Sequence, residues 1–231
     1  MAVSYVGSNS AGASSGTAVS VSRPAGIQSG DIVIAFVNAN NTPTISDNNG
    51  SYSFTQVLNQ SYNGTSASYG IFYRVAGSSE PSSYAFTLAS SQRWEMIAAA
   101  YRGVDAGIFS AFPTSSTHTY GTTSSVTTSA VSGGLTAGDM VVAVAGGDSN
   151  SPTFTGTPSG WNSRQNLAGY QMATLADIAA TGTNQSAALW TASTSIGWGA
   201  NILALKMAAV QQGRKMSGVM AKKMSWFRRG R

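Results

Sequence analysis

Few side chains in this 231-residue sequence have the types and spacing that chemistry would need. His118 is the single histidine, set between Thr117 and Thr119 in a Ser/Thr-rich run. Nucleophilic catalysis requires a base oriented by an acid and a nucleophile within its reach. Nothing around His118 suggests either partner, so it reads as a solvent-exposed loop residue. Glu80, before Pro81, and Glu95, beside Trp94, are the acids to weigh as a glycosidase pair, a chemistry that needs two carboxyls facing one cleft. Spacing alone shows no such pair, and no catalytic residue is assigned. Asp47-Asn48-Asn49-Gly50 and Asp148-Ser149-Asn150 are rich in oxygen, but calcium takes six to eight oxygens and usually several carboxylates, and each loop offers one. Both read as plain turns. With no cysteine, no phosphate-binding glycine loop and no cluster of metal-ligand residues, the expectation is no cofactor and no metal.

Two further groups could recognise a partner. Tyr52, Tyr62, Tyr69, Trp161 and Tyr170 are candidates for stacking on sugars, although aromatics so placed in strands are more often core or rim packing. The second group is basic. Residues 1–207 carry six bases against eight acids, a net of −2, whereas residues 208–231 carry seven bases and no acid. Arg214, Lys215, Lys222, Lys223, Arg228, Arg229 and Arg231 supply that charge, with Trp226 and Phe227 as apolar anchors among them. Met216, Met220, Met224 and Phe227 fall on one helical stripe, so the segment is a basic amphipathic helix in waiting. Gly213 and Gly218 each cost about 1 kcal/mol in a helix, which predicts an arm that orders only against a partner. An acidic protein surface, an anionic membrane surface and nucleic acid all suit such an arm, the last only through non-specific, salt-sensitive phosphate contacts.

The elements that must position these residues are strands. Gly30-Asp31-Ile32-Val33-Ile34-Ala35-Phe36-Val37 recurs 108 residues later as Gly138-Asp139-Met140-Val141-Val142-Ala143-Val144-Ala145. In both, a glycine able to take positive φ precedes an aspartate able to bond its own backbone, and an uninterrupted apolar strand follows. A strand with one wet face would alternate, so both runs are expected to be covered on both faces. Further strands are predicted over 3–7, 17–22, 52–58, 67–75, 83–88 and 94–102, with 38–50 as a long connection. The second copy repeats the pattern with different loop lengths, from 126–131 to a closing strand at 202–205. Charged residues are 9% of the chain, so hydroxyls and amides keep its surface wet, and the aromatic content argues against a disordered body. The prediction is an all-β protein of two tandem β-sandwich, jelly-roll-like units, 1–104 and 105–207, followed by the basic arm 208–231. The two units are expected either to pack on each other or to share one long double sandwich.

Arg23-Pro24-Ala25-Gly26-Ile27-Gln28-Ser29-Gly30-Asp31, Tyr73-Arg74-Val75-Ala76-Gly77-Ser78-Ser79-Glu80-Pro81-Ser82-Ser83-Tyr84 and Ala100-Tyr101-Arg102-Gly103-Val104-Asp105 together resemble a β-sandwich module of tailed-phage virion proteins and bacterial surface proteins. The resemblance covers most of residues 17–205 and implies a structural role without catalytic residues. The arm departs from it. The opening residues contain neither a basic nor an apolar leader region, and no apolar run approaches the roughly 20 residues that span a bilayer. The expectation is therefore a non-enzymatic virion protein, made in the host cytoplasm. Within the particle it is expected to be a trimeric capsid cement or decoration protein that binds the major capsid protein through its arm. The alternative is a tail-fibre, baseplate or surface module that binds host carbohydrate, and an enzyme acting on polysaccharide comes third.

Overall fold

The computed structural model describes residues 1–105, 118–151 and 153–208. Among them the chain is all β, sandwich-like, with one turn of 3-10 helix at Gly50–Tyr52. The first half contributes β1 (Ser4–Ala13), β2 (Ala18–Ser22), β3 (Ile32–Asn40), β4 (Ile45–Asp47), β5 (Thr55–Tyr62), β6 (Ala67–Val75), β7 (Ser83–Leu88) and β8 (Trp94–Arg102). The second contributes β9 (Thr119–Gly121), β10 (Ser125–Thr127), β11 (Met140–Gly147), β12 (Phe154–Gly156), β13 (Asn162–Leu167), β14 (Met172–Ala179), β15 (Leu189–Ala192) and β16 (Trp198–Leu205).

Among the described residues each half forms one five-stranded and one three-stranded antiparallel sheet, and no sheet is shared between them. The orders are β1-β8-β3-β6-β5 with β2-β7-β4, then β9-β16-β11-β14-β13 with β10-β15-β12. Adding eight to each label of the first half gives the second. The correspondence extends to a register shift in β5 between Gln56 and Leu58, matched by one in β13 between Ser163 and Gln165.

The two five-stranded sheets lie face to face. Ile32, Ile34 and Phe36 of β3 share one core with Met140, Val142 and Val144 of β11. The intervening residues point outward: Val33, Ala35 and Val37 pack on Val19, Tyr84 and Phe86, while Val141, Ala143 and Ala145 pack on Val126 and Trp190. The described residues thus form four layers of sheet with three cores, and the middle strands have protein on both faces. That accounts for apolar runs without alternation. Burying a side chain such as Phe36 stabilises the fold by about 2–3 kcal/mol.

Both repeated turns are built alike. Gly30 and Gly138 take φ of 89° and 99°. Asp31 Oδ2 accepts from Gln28 N–H and Asp139 Oδ2 from Thr136 N–H, each at 2.8 Å. Ala76 N–H then donates to the Asp31 carbonyl, and Ala180 N–H to that of Asp139, which starts the ladder to the next strand.

Several boundaries differ from the sequence expectation. β1 runs to Ala13 through a segment expected to be a linker, because Gly7 and Gly12 leave room for the Ala25 carbonyl and the Glu95 carboxyl that lie over them. The connection at 38–50 contains β4, whose three residues are too few to show alternation but whose Ile45 is buried against β7. The strand expected at 52–58 begins at Thr55, since Gly50–Tyr52 closes a 3-10 turn. The strand expected at 126–131 ends at Thr127, where the Thr128 hydroxyl accepts from Ala188 N–H and breaks the alternation of backbone partners.

Candidate functional site

The polar groups that the fold gathers lie between the two five-stranded sheets, along two seams flanking their shared core. On one seam, β13 and β14 place Arg164 and Asp177 in a two-point ion pair, with Nε to Oδ2 at 2.7 Å and Nη2 to Oδ1 at 2.9 Å. Asp177 is fully buried and also accepts from Asn162 Nδ2 and, across the seam, from the Tyr101 hydroxyl at 3.2 Å. Arg164 lies 4.0 Å from the centroid of the Tyr5 ring, a cation over an aromatic face. Burial alone would lower the Arg164 pKa, and the bonds and charge of Asp177 instead raise it. Burial, with the adjacent Asp177 charge, holds Tyr101 well above the ordinary phenol range. Ser8 and Ser10 of β1 exchange hydrogen bonds with Gln165 of β13. This cluster binds one half to the other.

Farther along the same seam Glu95 sits 3% exposed, accepting from Tyr170 N–H at 3.1 Å. Burial pushes its carboxyl up to about 7, while backbone N–H groups of Tyr170 and Gln171 draw it partly back.

The opposite seam is aromatic. The Tyr62 hydroxyl donates to Asn38 Oδ1 at 2.7 Å, and Asn38 Nδ2 donates to the carbonyls of Met172 and Gly147. Tyr69 shares a 2.7 Å hydrogen bond with His118 Nδ1 and donates to the Ala200 carbonyl at 3.2 Å. Asn63 Nδ2 donates to Asp148 Oδ2 across the halves. His118 is half-buried and stacks on Tyr120 at 5.2 Å, which corrects the solvent-exposed reading. Burial lowers its pKa against a smaller opposing effect of the Ser61 backbone. The local Ser/Thr context carried no sign of this, because Tyr69 is 49 residues away.

The other singled-out residues fall as follows. Glu80 is paired with Arg74 at 2.8 Å and accepts from Tyr84 and from Gly77 N–H. Arg74, the partner of Glu80, faces Val33 across the ladder and Glu95 faces Asn38, so the backbone positions of Arg74 and Glu95 are five residues apart along β3, or roughly 17 Å. The two glutamates also serve different faces, Glu80 touching Tyr84 of the outer core and Glu95 touching the second half. They do not meet.

Asp47 accepts from Asn49, whose side chain in turn bonds both the N–H and the carbonyl of Ala85, so this loop is a turn pinning β4 to β7. Among the described residues no three His, Asp or Glu side chains gather where they could hold a metal ion. Tyr62 and Tyr69 are core residues, whereas Tyr170 is 40% exposed. Tyr120, not singled out from the sequence, is 68% exposed. Arg214, Lys215, Lys222, Lys223, Trp226, Phe227, Arg228, Arg229 and Arg231 lie outside the described residues.

What precedes them is well placed. Arg102, at the end of β8, grips both oxygens of Asp31, while Lys206, just after β16, pairs with Asp139. Met207 N–H donates to Asp139 Oδ1 and Ala208 N–H to the Gly103 carbonyl, so the body is anchored up to Ala208, where the basic segment of the sequence begins. Among the described residues no helix is long and apolar enough to cross a membrane. Compared with family models, curated proteins and solved structures, the chain matches none of them.

Proposed function

We propose that this chain is a non-enzymatic structural protein of a phage particle, a cement or decoration protein in which two tandem jelly-roll-like units carry a basic arm. The resemblance noted above and the low-charge, hydroxyl-rich surface support the class. The observation that carries the reading is the anchored root at Lys206–Ala208. A layered body of net charge −2 holds, by backbone and ion-pair contacts, the start of a segment with seven bases and no acid. A cement protein works by burying area across subunit seams, and an arm that orders on the major capsid lattice extends that burial at an entropic cost. The body is expected to act as a homotrimer.

Removing residues 209–231 tests this. The truncated chain should unfold at the same urea concentration as the full chain and fail to join arm-receptive particles in a co-sedimentation assay. Normal incorporation of the truncated chain would overturn the reading.

The exposed rings of Tyr120 and Tyr170 favour one second reading, a tail or surface module that stacks on host carbohydrate. Glycan binding that survives removal of the arm and is lost in Tyr120→Ala or Tyr170→Ala would favour it over the first.

A further inference from the structure

Glu95 has a setting that none of the other buried acids among the described residues shares. Asp31, Asp139, Asp177 and Glu80 each face a cation, whereas no Lys or Arg among the described residues pairs with Glu95. It points away from its own half's outer core and into the seam, under the turn 168–171 that joins β13 to β14. On the β1 side it meets Gly12, where an added Cβ would lie 2.5 Å from Oε2. On the turn side Gly169 is 3.5 Å from Oε1 by the same measure, and Tyr170 N–H donates to that oxygen. From β3 it is faced by Asn38, which is uncharged. Arg93, two residues before it, donates instead to Asn40 Oδ1, and Tyr170 is the titratable side chain of the turn. Gln171, fully buried beside it, leaves Oε1 without a donor. Residues 168–170 are exposed, so the turn is a thin cover between this carboxyl and water.

We infer that Glu95 is a proton-operated latch: protonated, it lets the 168–171 turn of the second half close over the first, and ionised, it favours the turn lifting so that water reaches the carboxylate. An unpaired buried carboxylate is costly, and a short exposed turn is the cheapest element to open to relieve it. On opening, the proton passes to solvent. The closed state binds the proton up to about pH 7, and the open state is expected to release it near the ordinary value of 4.5. Between those limits each rise of one pH unit favours the open turn by up to about tenfold, and the gain levels off above them.

Sign and site can be read together on the full chain. Glu80 and Glu95 are the chain's two glutamates, so carboxyl 13C labelling of glutamate yields two titration curves. The curve for Glu95 should have its midpoint near 7. Over the same pH series, amide exchange at Tyr170 and Gln171, corrected for intrinsic rates, should lose protection by up to about tenfold per pH unit between roughly 5 and 7. Glu95→Gln, which keeps the acceptor and removes the charge, should abolish that dependence while leaving Tyr170 protected. A Glu95 midpoint below 5 would overturn the latch. So would a midpoint near 7 with protection at Tyr170 that follows the same pH course in wild type and Glu95→Gln.

Discussion

The two halves are alike where a residue serves its own half and unlike where it meets the other. The turns at Gly30-Asp31 and Gly138-Asp139 share glycine conformation, aspartate-to-backbone bond and a cation supplied from the end of the last strand. On the shared face, by contrast, the first half presents Ile34, Phe36 and Asn38 where the second presents Val142, Val144 and Gly146. Asn38 and Gly146 occupy equivalent places, 108 residues apart, and they touch: a Cβ at Gly146 would lie 2.6 Å from the Asn38 side chain. On a two-fold axis a residue meets its own counterpart, and the space there can be filled once. Two identical chains would have two asparagines colliding there or two glycines leaving a void. Two halves within one chain are free to diverge, and this pair has one large and one absent side chain.

The largest effect should come from refilling that space. Gly146→Asn is expected to destabilise the protein by about 3 kcal/mol or more in urea unfolding, since overpacking adds to a buried amide left short of partners. Combining it with Asn38→Gly should recover at least about 1 kcal/mol relative to the sum of the singles. Strict additivity would mean that the two positions do not share one space. Next in size, Asp31→Ala and Asp139→Ala should each cost about 2–4 kcal/mol, because each strands a cation and an unpaired turn N–H. If the turns are equivalent, the two losses will agree to within about 1 kcal/mol. A loss confined to one half would break the comparison.

The two seams should differ in pH response. Glu95, raised by burial, contributes stability that is fully present below the ordinary carboxylate value of 4.5 and lost as pH rises towards about 7. His118, lowered chiefly by burial, contributes stability that is present above its ordinary value of 6.5 and lost as pH falls. Unfolding free energy between pH 5 and 7 should therefore fall with pH in His118→Gln and rise with pH in Glu95→Gln. Identical slopes in the two variants would show that neither group carries the response. The smallest effect is expected from Arg102→Lys, which loses the two-point grip on Asp31 and the bond to the Gly26 carbonyl but leaves the pairing that Lys206 already makes with Asp139. A shift in the urea midpoint smaller than that of either aspartate variant suits a pair whose cation is solvated.

Local order was open to reading from the residues themselves. Ala67–Val75, Ser83–Leu88 and Trp94–Arg102 occupy the strands that their alternation or apolar content predicted, and the Gly-Asp turns open β3 and β11 where expected. These signals are local, because turn chemistry and two-residue periodicity act within a few positions. Tertiary structure decided which face meets which. Whether the halves shared sheets or stacked, that His118 would be claimed by Tyr69, that Glu95 would lie beneath a turn 75 residues away, and that Asn38 would need a glycine opposite it all depend on contacts between distant segments. No periodicity records such contacts, since an apolar strand is equally satisfied by any partner that removes its faces from water.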